Sequence, residues 1–337
     1  MSEDGTLLAR YHELFEQVFQ TPRAFVGFLL AILVLPFVFT VGLATEILIL
    51  GIFALSYNLM FGFGGLLSFG HALFFGGGAY VAALIVVEIG LPMIPVLLVT
   101  LAVGLFVAFL IGVISLRLSG IAFAMVTLAF AQLGYEIVRG WRDLTGGDDG
   151  FGGIFRPSPF VESGLLDLSE PLLFYAFTAV VAIVCIVFTY VMAGSLYGRA
   201  LKAIRLNEER TEALGVNVFW LKVSVFTIAG GMGAVAGVLW AVYIRFVSPG
   251  VLFWETTGDA ILYSLIGGMH SVLGPVLGAG FLRGAERLLF RTEPGIWNIT
   301  VGAVFVLIVL FERGGIIALA KRVTDRAEDI LGQLRSK

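Results

Sequence analysis

The side chains that could do acid–base or metal chemistry are few in this sequence and lie far apart. The three histidines are His12, His71 and His270, and the one cysteine is Cys185. None has a second ligand at metal-binding spacing, so neither a metal site nor a disulfide is expected. His12-Glu13 does not continue into a His-Glu-x-x-His motif, and no glycine-flanked serine turn occurs. The pattern predicts neither an enzyme nor a bound cofactor, and it favours a structural role for His270.

Four acidic residues interrupt or border apolar stretches, where ion-coupled transporters place the groups that carry their coupling ion. They are Glu46, Glu88, Glu136 and Asp259, and each lies near the predicted outer end of its segment rather than at mid-membrane. This placement disfavours a secondary transporter, which remains an alternative. The sequence also has no Gly-x-x-x-x-Gly-Lys-Ser/Thr loop, so the chain is not expected to hydrolyse ATP itself.

The composition predicts that these residues are held by helices in a membrane. Of 337 residues, 59% are hydrophobic and 13% are charged, and the mean hydropathy is +1.00. A soluble domain carries about 25% charged residues, whereas the only charged residues between Ala24 and Leu116 are Glu46 and Glu88. A net charge of −3 gives no reason to expect nucleic acid. The chain is therefore predicted to be an all-α polytopic membrane protein.

Bilayer thickness sets the expected number of spans, because a crossing helix needs about 20 mostly apolar residues. Ten segments qualify, some marginally, so we expect eight to ten transmembrane helices. The segments cover residues 24–43, 47–62, 66–87, 93–115, 120–138, 172–193, 222–244, 259–270, 274–290 and 296–312. The second and eighth are short. The glycine-rich third segment and the glycines around residues 267–274 predict interrupted helices.

The distribution of lysine and arginine predicts the orientation, because these residues concentrate on the cytoplasmic side. With both termini inside, 14 of the 21 basic residues are cytoplasmic. No signal peptide is expected. The predicted organisation is an amphipathic or simply solvated cytoplasmic segment 1–23, a membrane domain 24–313 and a cytoplasmic tail 314–337. Within the membrane domain, residues 139–171 form an outer loop and residues 194–221 a cytoplasmic loop.

The cytoplasmic loop differs in composition from the rest of the chain. Residues 199–214 are rich in charge and in strong helix formers, and Gly215 with Asn217 supplies a stop signal. Each Arg or Lys at mid-bilayer costs about 2.5–3.5 kcal/mol, so this segment is expected to stay in water. A short polar helix between two spans suits a soluble partner that grips the membrane protein. A solvated connector would explain the same pattern.

Several motifs in the sequence resemble one transporter family. The run from Arg199 to Val218, with Glu212-Ala213-Leu214-Gly215 near its end, is similar to the cytoplasmic coupling loop of ABC importer permeases. It most resembles the LivM-type permease of branched-chain amino acid importers, although this sequence has an abbreviated form of the Glu-Ala-Ala…Gly pattern of such loops. Other stretches resemble the same family in chain order. These stretches are residues 55–80, 116–132, 145–150, 246–249 and 267–279.

The resemblance implies the permease subunit of an ABC importer in a prokaryotic cytoplasmic membrane. Such a subunit would work by alternating access with two ATP-binding subunits, a second related permease and an extracytoplasmic solute-binding protein. Branched-chain amino acids are the implied small solute, and urea or short amides are the alternative, since permeases of those importers are similar. The implied ATPase-coupling residues are Arg205, Glu208, Glu209, Glu212, Ala213 and Gly215.

Polar residues at membrane depth are candidates for the solute path, because lipid cannot satisfy their hydrogen bonds. Asn58, Ser68 and His71 lie in or beside a glycine-dense stretch, 62–78, and Gln132 lies in the fifth span. We predict that these four residues line the path. The alternative is that the stretch joins helices through small residues and hydrogen bonds.

In the outer loop, Gly147, Asp148 and Asp149 fall in a turn-rich motif that lacks the alternating ligands of a calcium loop. The resemblance implies that they contact the solute-binding protein. A plain turn-rich loop is the alternative.

Overall fold

The computed structural model describes residues 22–159 and 167–289, together with 302–303 and 315–316. The predictions for the N-terminal segment 1–21, for nearly all of the span 296–312 and for the tail lie outside these residues. The described part is built from helices, and an isolated β-bridge joins Phe151 to Val247. The all-α architecture predicted from composition is confirmed.

The helices follow one another with short connections. In chain order they are α1 (Pro22–Val38), α2 (Val41–Asn58), α3 (Ala72–Leu84), α4 (Met93–Ser115), α5 (Gly120–Gly140), α6 (Arg142–Thr145), α7 (Pro171–Gly194), α8 (Leu196–Leu206), α9 (Glu208–Ala213), α10 (Val218–Ile244), α11 (Trp254–Gly267) and α12 (Gly274–Leu289). π-Helical turns extend α2 through Leu59–Phe63 and α3 through Ile85–Ile89.

Six helices in the described part are long and apolar enough to cross a bilayer. They are Val41–Phe63, Ala72–Ile89, α4, α5, α7 and α10. With 14 residues, α11 reaches only about 21 Å, less than the bilayer core of about 30 Å. It packs tightly against the start of α12, since a Cβ at Gly267 would lie 1.8 Å from the Gly274 carbonyl oxygen. The break between α11 and α12 is the interruption predicted around residues 267–274.

Three predicted boundaries are wrong. The segment 24–43 runs across a helix break, because Thr40 caps α2 by accepting a hydrogen bond from the Leu43 amide at 3.4 Å. The segment 47–62 looked short, but the helix begins at Val41 and ends at Phe63. The segment 66–87 becomes helical only at Ala72. Hydropathy misses these ends because apolar residues lie on both sides of each.

Helix α10 runs through the centre of the bundle and packs against α3, α4 and α2. Its glycines allow close backbone approach: a Cβ at Gly237 would lie 1.9 Å from the Phe75 carbonyl oxygen. In the other direction, a Cβ at Gly78 would lie 2.4 Å from the Ala234 carbonyl oxygen. Lipid provides no hydrophobic drive between helices, so such close packing supplies the cohesion. Glycines at these positions of α3 and α10 are therefore required by packing.

A cluster of charged side chains joins α2, α11 and α12. The Arg283 guanidinium lies 3.6 Å from a carboxylate oxygen of Glu46, 3.6 Å from one of Asp259 and 2.6 Å from one of Glu286. The guanidinium also lies 5.9 Å from the centre of the Tyr263 ring. Two of the acids that the sequence placed in separate segments therefore share one cation. The cluster holds α11 and α12 against α2.

We expect Arg283→Ala to lower the free energy of unfolding by about 2–4 kcal/mol, because it leaves three carboxylates together without their cation. Thermal unfolding of the purified protein in detergent measures this change. Arg117→Ala is the control, since Arg117 is exposed and takes part in none of the ion pairs among the described residues. Equal unfolding temperatures for the two variants would contradict a stabilising role for the cluster.

Candidate functional site

The predicted coupling segment folds as two short helices with different surroundings. In α8, Leu201 and Ile204 are buried against the bundle, and the Ser195 side chain caps the helix by accepting from the Gly198 amide at 3.4 Å. Asn207 ends α8 and caps α9, because its side-chain oxygen accepts from the Arg210 amide at 2.9 Å. Helix α8 is thus anchored to the membrane domain, and α9 follows it with only Thr211 buried.

Helix α9 and the residues after it present acidic groups to solvent. Glu209, Glu212, Ala213 and Gly215 are exposed, whereas the Glu208 carboxylate pairs with Lys222 Nζ at 2.6 Å. Of the predicted coupling residues, Glu208 therefore joins α9 to α10, and these four remain available to a partner.

Two leucines beside α9 were missed by the sequence reasoning. Leu206 is 75% exposed and Leu214 is 82% exposed, one on each side of the helix. Large apolar side chains that protrude from a polar segment mark a contact surface. Their positions in the sequence could have identified them. Leu206 directly precedes the cap residue Asn207 and Leu214 directly precedes the stop residue Gly215, so each lies at a helix end.

Arg205, at the end of α8, reaches into the bundle instead. Its Nη1 donates to the carbonyl oxygen of Gly62 and lies 2.8 Å from His270 Nδ1. Gly62 belongs to the π turn that ends α2, and His270 lies in the break between α11 and α12. Partial burial lowers the pKa of the Arg205 guanidinium, and an arginine side chain stays protonated in proteins. We call Gly62, Arg205 and His270 the Arg205 junction.

The two helix breaks that meet at the Arg205 junction also touch each other. Asn58 Nδ2 donates to the Ser271 carbonyl oxygen at 3.0 Å, and Asn58 is fully buried. A Cβ at Gly62 would lie 2.1 Å from the Met269 carbonyl oxygen, so only glycine allows this approach. Sequence reasoning assigned Asn58 to the solute path. The structure places it between the breaks of α2 and α11.

Ser68 and His71, also predicted for the path, are fully buried in this chain. The Ser68 hydroxyl accepts from the Gly70 amide at 3.1 Å, and His71 Nε2 lies 2.8 Å from the Ser56 hydroxyl. Aromatic rings surround the imidazole. The rings of Phe53, Tyr57 and Phe74 have centres within 5.6 Å of it. These contacts position the irregular segment between α2 and α3.

Gln132 lies apart from the other three candidates, on the exposed face of α5. Its amide nitrogen donates to Glu136 Oε1 at 3.1 Å, and that carboxylate is also exposed. At 1.5 Å per residue, Gln132 lies about 18 Å along the helix from Gly120, well inside the bilayer. The opposite face of α5 holds the segment before α3, since Thr127 Oγ1 accepts from the Phe69 amide at 3.2 Å.

The outer-loop residues are held by turns and by an ion pair. Arg139 Nε lies 2.7 Å from Asp148 Oδ1, and Gly146, Gly147 and Gly150 adopt left-handed backbone angles. The bridge between Phe151 and Val247 brings the motif 145–150 onto the motif 246–249. Asp148 and Asp149 stay exposed, whereas Gly147 is buried. Within the described ranges, no group of three or more His, Cys, Asp or Glu side chains is placed to hold a metal.

Comparison with known proteins connects this geometry to a family. The sequence model of the family described as "Branched-chain amino acid transport system / permease component" matches residues 39–309. The chain belongs to this family. The match covers the coupling segment (α8 and α9), the two helix breaks and the outer loop. These three candidate sites therefore lie within the sequence that the family model describes. The resemblance found in the motifs is thereby confirmed.

Among curated proteins, this permease-family chain is similar to two LivM proteins. It is 29% identical to the high-affinity branched-chain amino acid transport system permease protein LivM of Escherichia coli, over 87% of this chain and 75% of that protein. The Salmonella typhimurium LivM is 28% identical over the same shares. The autoinducer 2 import system permease protein LsrC of Salmonella typhi is 29% identical, over only 44% of this chain and 45% of its own length. No solved structure matches the chain.

Proposed function

We propose that this chain is the membrane-spanning permease subunit of an ABC importer for branched-chain amino acids. The family match across residues 39–309 carries the proposal. The likeness to LivM extends over twice as much of the chain as the likeness to LsrC, which favours amino acids over autoinducer 2 as the solute. The chain would sit in a prokaryotic cytoplasmic membrane with both termini inside, as its lysines and arginines favour.

The membrane acids support an ATP-driven importer over an ion-coupled one. Glu46 and Asp259 are both paired with Arg283. Glu136 accepts a hydrogen bond from Gln132 and lies 4.0 Å from Arg139. A coupling-ion site needs carboxylates that alternate between free and occupied states. These engaged carboxylates suit structural roles instead.

On the cytoplasmic side, α9 would dock into an ATP-binding subunit of the importer. Leu206 and Leu214 would supply the apolar contact, and Glu209 and Glu212 would select a basic rim. Because α8 is anchored by Leu201 and Ile204, a displacement of α9 would be carried into the membrane domain. The second ATP-binding subunit would dock in the same way on a related permease.

On the outer side, the loop formed by residues 141–155 and 246–254 would receive the solute-binding protein. Its acids Asp148 and Asp149 lie among exposed aromatic side chains. Those side chains are Trp141, Phe155, Phe246 and Trp254. Aromatic residues are favoured at protein interfaces, and the acids would steer a basic partner.

The second permease would bind at one of the exposed faces of α4 and α5. Both helices are largely exposed in this chain, but the α4 face consists of apolar side chains suited to lipid. These are Leu98, Val99, Val103, Phe106, Leu110 and Ile114. The α5 surface also exposes apolar side chains, among them Ile121, Met125 and Leu133. Unlike α4, it carries exposed small and polar residues at helical spacing as well. These are Ala122, Ala129, Gln132 and Glu136. Small and polar residues in a membrane span mark a helix contact or a path, so the solute would pass between this face and the second permease.

Ala129→Trp is therefore expected to block assembly with the second permease, because an indole on a close helix contact separates the two backbones. The fold of the chain itself should persist, since Ala129 is exposed. Co-purification of the two permeases from membranes measures assembly. Val103→Trp, on the apolar face of α4, is the control and should assemble normally. Normal assembly of both variants would place the subunit contact elsewhere.

Transport itself tests the proposed function. The chain would be reconstituted into vesicles with the ATP-binding subunits, second permease and binding protein of the same importer. We expect ATP-dependent uptake of labelled leucine that unlabelled isoleucine and valine compete away. Competition by urea or acetamide alone would overturn the amino-acid assignment. Uptake by this chain without any ATPase would overturn the importer class.

A further inference from the structure

The side chain of Arg205 occupies a slot that the surrounding glycines create. A Cβ at Gly65 would lie 3.1 Å from Arg205 Cγ, and Gly65 itself has a φ of +68°, which disfavours other residues. The helix that carries Arg205 is fixed nearby by the buried Ile204. The slot therefore accepts the arginine stem and directs the guanidinium to the two helix breaks.

The chemistry at the end of the slot suits a cation. Helices α2 and α11 both end at this point, and the last carbonyl groups of a helix lack amide partners and carry partial negative charge. After the π turn, the amides of Gly65 and Leu66 donate to Phe61 and Met60 at 3.1 Å each. Neither of these two amides donates to the Gly62 carbonyl oxygen. The Arg205 guanidinium donates a hydrogen bond to it instead.

His270 completes the site from the α11–α12 break. A guanidinium can only donate, so the Nδ1 atom 2.8 Å from Arg205 must accept. The imidazole in this contact is therefore neutral, with its proton on Nε2. One guanidinium thus bridges the end of α2 and the break after α11.

We propose that Arg205 is the residue through which the coupling segment locks the π turn after α2 to the break between α11 and α12, so that a movement of the segment is transmitted into the membrane domain. This inference rests on the proposed function. While Arg205 occupies its slot, the π turn after α2 and the break at 268–273 stay together. When the ATP-binding subunit displaces α8, the guanidinium leaves both breaks, and they separate. The buried bond from Asn58 Nδ2 to the Ser271 carbonyl, 3.0 Å long, joins the same segments deeper in the bundle and acts as the pivot.

Coupling between ATP hydrolysis and transport provides the first test, in the complete reconstituted importer. We expect Arg205→Ala to lower leucine uptake per ATP hydrolysed by roughly tenfold or more, since the loss of a hydrogen bond to a charged group shifts an equilibrium by about that factor. Arg205→Lys should recover part of the ratio. Arg199→Ala removes the same charge from an exposed position of α8 and should leave the ratio unchanged.

Thiol labelling of the nucleotide-free complex tests directly whether Arg205 keeps the two helix breaks together. In a Cys185→Ala background, Val272→Cys places a thiol in the buried part of the α11–α12 break, and Leu67→Cys places one at an exposed position. Adding Arg205→Ala should speed maleimide labelling at position 272 by roughly tenfold, the consequence of losing one charged hydrogen bond. Labelling at position 67 should not change.

The outcomes separate this inference from the proposed function. If wild-type complex takes up leucine but Arg205→Ala alters neither the transport ratio nor the labelling of position 272, the role of Arg205 is refuted. If wild-type complex takes up no leucine, the proposed function fails. In that case the labelling result still reports whether Arg205 keeps the two breaks together.

Discussion

Gly267→Ala is expected to disrupt the membrane domain severely, although the substitution adds only a single methyl group. The added Cβ would lie 1.8 Å from the Gly274 carbonyl oxygen and 2.4 Å from its carbon, both of them backbone atoms. Neither can move away without separating α11 from α12. We expect a loss of at least about 3 kcal/mol in the free energy of unfolding, with transport lost as well.

Gly258→Ala is the matched control for this change. Gly258 lies on the same helix, and a Cβ there would meet nothing within 4 Å. Replacing a helical glycine by alanine at an open position stabilises by up to about 1 kcal/mol. Thermal unfolding and size-exclusion profiles in detergent would compare the variants. If Gly267→Ala unfolds at the wild-type temperature, the backbones of α11 and α12 do not approach each other this closely.

Glu212→Lys should reduce transport to background while the chain still inserts and folds. The Glu212 side chain is exposed, and none of the ion pairs among the described residues involves it. Its replacement should change the free energy of unfolding by less than about 0.5 kcal/mol. Against a basic surface on the ATP-binding subunit, the new lysine would create like-charge contacts worth several kcal/mol, a loss of roughly hundredfold or more in affinity.

Binding of purified ATP-binding subunits and ATP-driven uptake measure this effect. Glu170→Lys makes the same charge change at an exposed position before α7, at the predicted outer side, and should keep ATPase binding. Deleting residues 205–215 should also abolish transport, but that deletion removes Arg205 as well, so the charge reversal is the cleaner test. Wild-type transport by Glu212→Lys would show that α9 does not dock the ATPase.

The broad class of the protein was predictable because lipid imposes a strong and local constraint. Each spanning helix must be apolar over its whole length, so composition and segment length reveal α4, α5, α7 and α10 almost to their ends. The coupling segment was recognisable for the opposite reason, since its charges cannot enter lipid. Helix ends within apolar sequence, such as the cap at Thr40, leave little trace in hydropathy and were placed wrongly.

The candidate sites were less predictable. Asn58, Ser68 and His71 were predicted to line the solute path, and their hydrogen-bond partners lie in distant segments or in the nearby backbone. Gln132 shared their polarity, yet it alone of the four faces outward. His270 was interpreted as structural because no second ligand stands near it in sequence. Its neighbour in space is Arg205, which the sequence assigned to the ATPase contact.

By itself, the sequence determined three properties of this chain. It is a membrane protein, its motifs resemble one permease family, and the loop 194–221 is too polar to enter lipid. Those properties depend on local composition and on runs of consecutive residues. Only the tertiary structure decided that Arg283 gathers the acids of three helices, that Arg205 bridges two helix breaks and that α5 exposes small and polar side chains. Each of these features depends on the relative orientation of the helices. That orientation is set by packing at close glycine contacts, which involve residues far apart in the sequence.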